Sequence, residues 1–376
     1  MTRALLLSLG TASALGFGRF AYGLLLPAMR DDLGWSLTEA GAMNTANGLG
    51  YLVGAMAAAA VVRALGTATA FRSGMALTAL SLGATALTSD FALLLGIRAI
   101  SGATGAVVFI AGGVIAARLA AAASSGTPLT IFFAGAGLGI AVSGAAIPGL
   151  GSDWRAGWVG LAAAAAVATA ASWAAARTGG DPPVRSGGRA HVLPLWRVAV
   201  PYVLFATGYI TYITFLSAHL AEHAAPAAQV ALVWTAMGLA VIAAPALWSR
   251  PVVSWPGGTA LAALLGILAA GAALALASAA LPVVLASVVL YGATFMAVPA
   301  AVTARVRAAV PAQDWTATIA ALTTLFAAGQ TAGPWLAGVV ADHTSTGATV
   351  TWTAVLCAAG AAIAVTERSR HPAPRR

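Results

Sequence analysis

Arg19 and Arg98 each stand inside a long apolar stretch, 4–29 and 91–116. An Arg at mid-membrane depth costs about 2.5–3.5 kcal/mol on insertion scales, so it needs water, a partner or a task. Its planar fork matches a carboxylate or phosphate bidentately. No Asp or Glu lies deep in any apolar stretch of this sequence. A solute bearing an anionic group would supply the missing countercharge. The competing reading is structural, with each guanidinium bonded to helix C=O groups.

Other polar side chains recur at helical spacing. Tyr202, Tyr209 and Tyr212 fall within about an 80° arc of one helix. Arg19 and Tyr22 share a face, as do Tyr291 and Thr294, while Asn44, Asn47 and Tyr51 form a stripe on the second apolar segment. Gln330 completes the candidate solute set of Arg19, Tyr22, Asn47, Arg98, Tyr209, Tyr212, Tyr291 and Thr294. Interhelical hydrogen bonds, worth about 0.6 kcal/mol each, are the alternative for the Asn pair. A coupling proton would need a titratable carrier. Glu39, His219 and Glu222 are the candidates, and all sit at segment ends, where a solvated rim role competes. His219-Leu220-Ala221-Glu222-His223 imitates a two-His metal motif, but no further ligand is evident. We expect neither metal nor cofactor.

The elements that must position these groups are set by composition. Of 376 residues, 60% are hydrophobic and 8% charged, against about 25% charged in a soluble domain. Too little polar material exists to wet a globule of this size, so the solvent is a lipid bilayer. The 42 glycines and abundant Ala fit helices that pack backbone to backbone. A net charge of +9 would suggest nucleic acid in a soluble protein, but all 19 basic residues are Arg, scattered through short loops. Cys357 is the only cysteine, which excludes an internal disulfide. No GxxxxGK[ST] loop exists, and with no Lys none could, which excludes nucleotide-driven pumping by this chain alone.

Apolar windows predict spans at 4–29, 37–62, 70–88, 91–116, 128–150 and 156–176, then 199–220, 227–248, 258–278, 282–304, 315–340 and 349–365. Arg3, the following apolar run and Ala12-Ser13-Ala14 imitate a secretory signal. The run continues to Met29, so it reads as a retained first span. With the N-terminus inside, fifteen Arg fall in cytoplasmic segments and only Arg30 and Arg155 in outer loops, as the positive-inside rule requires. Both termini are therefore expected in the cytoplasm. The Gly- and Pro-bearing stretch 178–198 reads as a linker between bundles at 1–177 and 199–366, with a basic tail at 367–376. Weak internal repetition supports two parallel six-helix repeats. Gly18 and Tyr22 match Gly208 and Tyr212, Gly135 and Gly139 match Gly329 and Gly333, and Phe109 and Arg118 match Phe295 and Arg305, each pair near one offset.

The run Gly16-Phe17-Gly18-Arg19-Phe20-Ala21-Tyr22 followed by Leu26-Pro27-Ala28-Met29 resembles the opening of the YbfB/YjiJ-like bacterial transporters of the major facilitator superfamily. Arg98, Gly102 and Gly105 resemble that superfamily's fourth-helix motif, and Gly135, Gly137, Gly139 and Gly144 its Gly-rich fifth-helix motif. Ile140 stands where Pro is usual, and Arg63-Ala64-Leu65-Gly66 lacks the expected loop Asp. The resemblance implies that spans one, four, seven and ten line a central cavity, and that the fifth-helix motif favours efflux. Gly102, Gly105, Gly135, Gly139, Gly329, Gly333 and Pro334 are expected at helix crossings where the halves rock.

The expected fold is an all-α membrane protein with twelve transmembrane helices. The expected function is secondary active transport of a small organic, anionic solute by alternating access. Multidrug or natural-product efflux on the same fold is the alternative, and a membrane-embedded enzyme a more distant one, for which no cluster of His, Asp or Ser at one depth is found. The expected partners are the solute, membrane lipid and a coupling proton, with no nucleic acid or nucleotide. One copy suffices for the architecture, placed in a bacterial inner membrane.

Overall fold

The computed structural model describes residues 1–177 and 188–367. Residues 178–187 of the expected linker and the tail from 368 onward lie outside the described residues. Among the described residues the chain is built from helices without strands. We number the long ones α1 (Thr2–Leu33), α2 (Leu37–Leu65), α3 (Thr67–Thr85), α4 (Phe91–Ala122), α5 (Thr127–Ala146), α6 (Trp154–Ser172), α7 (Trp196–Glu222), α8 (Ala227–Ser254), α9 (Thr259–Ala277), α10 (Leu281–Ala309), α11 (Trp315–Asp342) and α12 (Gly347–Ala364). Nine of these described helices are long and apolar enough to cross a membrane. The others are α3, α6 and α11, whose sequences are rich in Ala, Gly and Thr rather than Leu and Val. Several helices overrun the expected spans by one or two turns. α4 reaches Ala122 and α8 reaches Ser254, because the Arg-bearing turns beyond the apolar core stay helical.

Acidic residues explain where several helices begin. Ser36 and Glu39 form a reciprocal capping box on α2, the Glu39 N–H donating to Ser36 Oγ at 3.1 Å and the Ser36 N–H to Glu39 Oε2 at 2.9 Å. Asp90 accepts from the Leu93 N–H at 2.8 Å to cap α4, and Asp153 from the Ala156 N–H at 2.9 Å to cap α6. A carboxylate at a helix N-terminus satisfies an orphan donor and meets the positive end of the dipole. Every described acid lies in a terminal turn of a helix or in a connecting turn.

Within α1–α6, α4 packs along α2 and α3, α6 on α3, and α5 on α1. Within α7–α12, α12 packs on α7 and α9, α11 on α7, and α10 on α8 and α9. The two sets meet along a seam where α2 crosses α11, α5 crosses α8, and the Tyr22–Leu33 part of α1 meets α7. Missing side chains allow these approaches. A Cβ on Gly41 would lie 2.3 Å from Pro334 O, one on Gly338 2.4 Å from Leu37 O, and one on Gly23 2.2 Å from Ile213 O. At the α1–α2 end of the seam, Asp342 of α11 accepts from the Leu37 N–H at 2.8 Å and the Thr38 N–H at 2.9 Å, so a carboxylate from one set caps a helix of the other.

At the opposite end, Asp314 in the α10–α11 turn holds the chain that enters α7. It accepts from the Arg189 N–H at 2.8 Å and pairs with His191 Nε2 at 2.8 Å. The Arg189 N–H and then His191 hold its pKa below the usual carboxylate value. The stabilisation is therefore present at neutral pH and is lost only as acid titrates Asp314 through that lowered value. Asp314→Asn should free this segment at pH 7, read as faster amide exchange at Arg189 and His191. Gly139→Leu, whose Cβ would start 2.5 Å from Ala12 O, should lower the thermal midpoint in detergent by several degrees, the effect of about 1–3 kcal/mol of overpacking. Gly160→Ala on α6 meets nothing within 4 Å and should leave the midpoint unchanged or raised.

Candidate solute site

Residues Ala12–Phe20 of α1 form a π-helix, closed by the Ala21 N–H donating to Gly16 O at 2.9 Å. Such wide turns cost hydrogen-bond quality and concentrate at functional sites. Nothing in residue type announces this one. It coincides with the closest approach of α5, where a Cβ on Gly16 would fall 2.5 Å from the Gly139 Cα. Arg19 is in its last turn, about 25 Å along the axis from one end of α1 and about 21 Å from the other.

The two buried Arg are held differently. Arg98 on α4 is 1% exposed. Its Nη1 donates to Gly18 O at 2.8 Å, and its Cζ lies 5.1 Å from the Tyr22 ring centroid and 5.3 Å from that of Trp158. It braces the π segment against α4 and α6. Arg19 is 3% exposed. Its Cζ lies 5.7 Å from the Tyr51 ring centroid, and it is within electrostatic reach of Tyr209 across the seam. Its Nε and Nη2 are buried with no hydrogen-bond partner among the described residues, and none of those residues forms an ion pair with it.

Tyr209 Oη donates to Gln330 Oε1 at 2.9 Å, leaving Gln330 Nε2 a second buried donor without an acceptor. Tyr209 also lies in a parallel stack with Phe205, Phe326 and Phe295, at centroid distances of 4.8, 5.6 and 6.0 Å. Tyr202 extends the stack onto Phe326 at 4.9 Å. Phe295 then meets Phe20, the neighbour of Arg19, edge to face at 5.8 Å. The structure therefore gathers Arg19, Tyr51, Tyr209 and Gln330 from α1, α2, α7 and α11, with an aromatic wall beside them.

The remaining candidates are placed elsewhere or engaged otherwise. Tyr22 Oη donates to Ala40 O at 2.7 Å, and Asn47 Nδ2 to Arg98 O at 3.2 Å. Tyr212 bonds Ser287 at 2.6 Å and stacks on Tyr291 at 4.0 Å, while Tyr291 Oη donates to Tyr209 O at 2.7 Å. Thr294 bonds its own helix at Leu290 O and borders an outer groove with Leu247, Trp248 and Leu290. Glu39 is used by the α2 cap, Glu222 accepts from Thr346 Oγ1, and His219 Nε2 lies 3.2 Å from Ala275 O. The glycines mark crossings. A Cβ on Gly102 would sit 1.9 Å from Asn47 O, on Gly135 2.0 Å from Ser8 O, and on Gly333 2.1 Å from Thr207 O. Gly329 faces Thr207 more loosely, and Gly105 has ordinary clearance over Ala14. Pro334 O faces Gly41. The sequence offers Tyr51 only as part of a stripe and gives Trp158 no signal at all. An aromatic face receiving a cation depends on which helices become neighbours.

A bundle of membrane helices with a buried, donor-rich centre between two packed sets is the architecture that a transporter requires. The family model described as the uncharacterised MFS-type transporter YbfB matches residues 11–366, and the chain belongs to that family. It is a multi-pass membrane transporter and not an enzyme. Among solved structures, a point-mutant form of the nucleoside transporter NupG superposes with a TM-score of 0.73 at 13% identity, covering 96% of this chain and 100% of that one. A bacterial homolog of the human lysosomal transporter Spinster, in an inward-facing and unoccupied conformation, gives 0.62 at 15% identity, covering 96% and 94%. At these identities the likeness establishes the fold alone. No curated protein sequence matches this chain.

Removing one Arg or the other should affect stability differently. Arg98→Gln strips the charge from Gly18 O, Tyr22 and Trp158 and should destabilise by about 1–3 kcal/mol. Arg19→Gln replaces a buried, unpartnered charge with a neutral amide and should leave the thermal midpoint unchanged or higher. Scanning fluorimetry of the two purified variants checks both.

Proposed function

We propose that the chain is a secondary transporter moving a small organic anion by alternating access, with Arg19 as the group that receives the anionic charge. The observation that carries this reading is the Arg19 guanidinium, buried at mid-depth with two donors that no described residue satisfies. The amide of Gln330 adds a donor from the other side of the seam. Donors without acceptors suit a ligand that brings acceptors only, such as a carboxylate or a phosphate.

In this reading α1–α12 are twelve transmembrane spans with both termini in the cytoplasm of a bacterial inner membrane. Residues 1–177 and 199–366 form two bundles that rock about the seam. The seam end held by Asp342 and the α2 N-terminus faces outward. Glu39, His219 and Glu222 serve helix ends there rather than carrying a proton. The aromatic wall from Tyr202 to Phe295 favours a second reading, in which a neutral planar solute or an amphipathic drug stacks there and Arg19 is incidental.

A thermal-shift screen separates the two. A ligand at 100 times its dissociation constant stabilises by about 2.7 kcal/mol. Benzoate, succinate or phosphate should raise the midpoint of the wild type and not that of Arg19→Gln. A rise with uridine or ethidium that persists in Arg19→Gln, with none for the three anions, would replace the anion reading with the stacking one. A tag after Arg376 should be accessible only from the cytoplasm.

A further inference from the structure

We infer that transport by this chain is obligatory exchange, in which the empty carrier reorients far more slowly than the loaded one. The inference rests on the anion reading above and concerns the step that follows binding. It starts from where the acids are. Every described acid lies in a terminal or connecting turn, and the nearest along α1 is Asp31, about 18 Å from Arg19 on the helix axis. Asp32 is committed to Trp154 and Arg155, Asp342 to the α2 N-terminus, and Glu367 to Arg305. Asp181, the one remaining acid of the sequence, falls outside the described residues.

Alternating access moves packed helices as rigid units over small angles. A carboxylate fixed in a terminal turn therefore does not travel to mid-depth, and no conformation reached by rocking gives Arg19 a countercharge from the described residues. Between the two open states lies one closed to both waters. There the guanidinium loses hydration, and a buried charge without a partner is strongly penalised. A bound anion removes that penalty by supplying charge and acceptors together. The Tyr51 ring face offers only partial relief, being 5.7 Å from Arg19 Cζ and neutral. The loaded carrier therefore crosses, and the empty one is held back by at least about 100-fold.

Two measurements test this. Proteoliposomes are loaded with whichever radiolabelled anion of benzoate, succinate and phosphate gives the largest Arg19-dependent thermal shift, with the membrane potential clamped. Efflux should accelerate at least about 100-fold when the same unlabelled anion is added outside. Equal rates with and without external anion overturn the inference while leaving the anion reading intact.

The second arm needs no ligand. Leu37→Cys in a Cys357→Ala background places a buried thiol, at a position 4% exposed, at the Asp342 end of the seam while keeping the backbone cap on Asp342, so it reacts with an impermeant maleimide as that end opens. In anion-free buffer, adding Arg19→Gln should speed labelling at least tenfold, and adding the anion should speed labelling of the Arg19 protein. Unchanged labelling in Arg19→Gln overturns the inference. Should none of the three anions bind, the anion reading falls, while this arm still decides whether Arg19 retards reorientation.

Discussion

Backbone-to-backbone approach is the constraint on which the rest of this molecule depends. Helices in lipid gain nothing from burying one another's Leu side chains, since the tails are as apolar as the partner. What holds them is van der Waals contact over small residues. Gly16 against Gly139, Gly102 against Asn47 O and Gly333 against Thr207 O each bring two helix backbones closer than any side chain would permit. Gly137 against Gly238 does the same across the seam. This closeness seals the centre well enough to bury a guanidinium, and it draws α5 against α1 where the latter widens into its π segment.

Much of the fold was legible in the sequence because hydropathy reports the solvent directly. Each long helix lies within a few residues of an apolar window, and α3, with Arg72 inside it, was found from its boundaries as much as from its apolarity. The glycines paired at a common offset also make like contacts. Gly135 and Gly139 cross α1, and Gly329 and Gly333 cross α7, so residues matched at a common offset occupy matching crossings. The site was less readable. Two buried Arg look alike in a sequence, and only the structure separates Arg98, engaged by Gly18 O and two aromatic faces, from Arg19, engaged by one ring. Tyr212 and Tyr291 have the spacing of cavity residues but stack on each other and bond Ser287 and Tyr209 O. Periodicity identifies a face without identifying what covers it.

The division of charge follows the same logic. Arg can extend a flexible stem to a distant C=O, as Arg3 does to Ala175 O and Arg72 to Trp173 O, each joining helix ends. Asp and Glu are short, and several of them sit where helix N-termini present free N–H groups. Ser36 with Glu39, Asp90 and Asp153 are such sites, and Asp342 performs the task for a helix not its own. Acids thus held at helix ends leave Arg19 and Arg98 as the charges of the described helix interiors, the imbalance from which the proposed anionic cargo is argued.

The widened turns of α1 carry a mechanical consequence. A π-helix takes up an additional residue in a turn, so everything beyond Phe20 is rotated about the axis, by roughly 100° for each residue absorbed, from where an unbroken screw would put it. One rod thereby serves two neighbours, its early part keyed to α5 and its late part to α7. On an unbroken screw, Arg19 and the residues after it would face other neighbours than the ones they meet here.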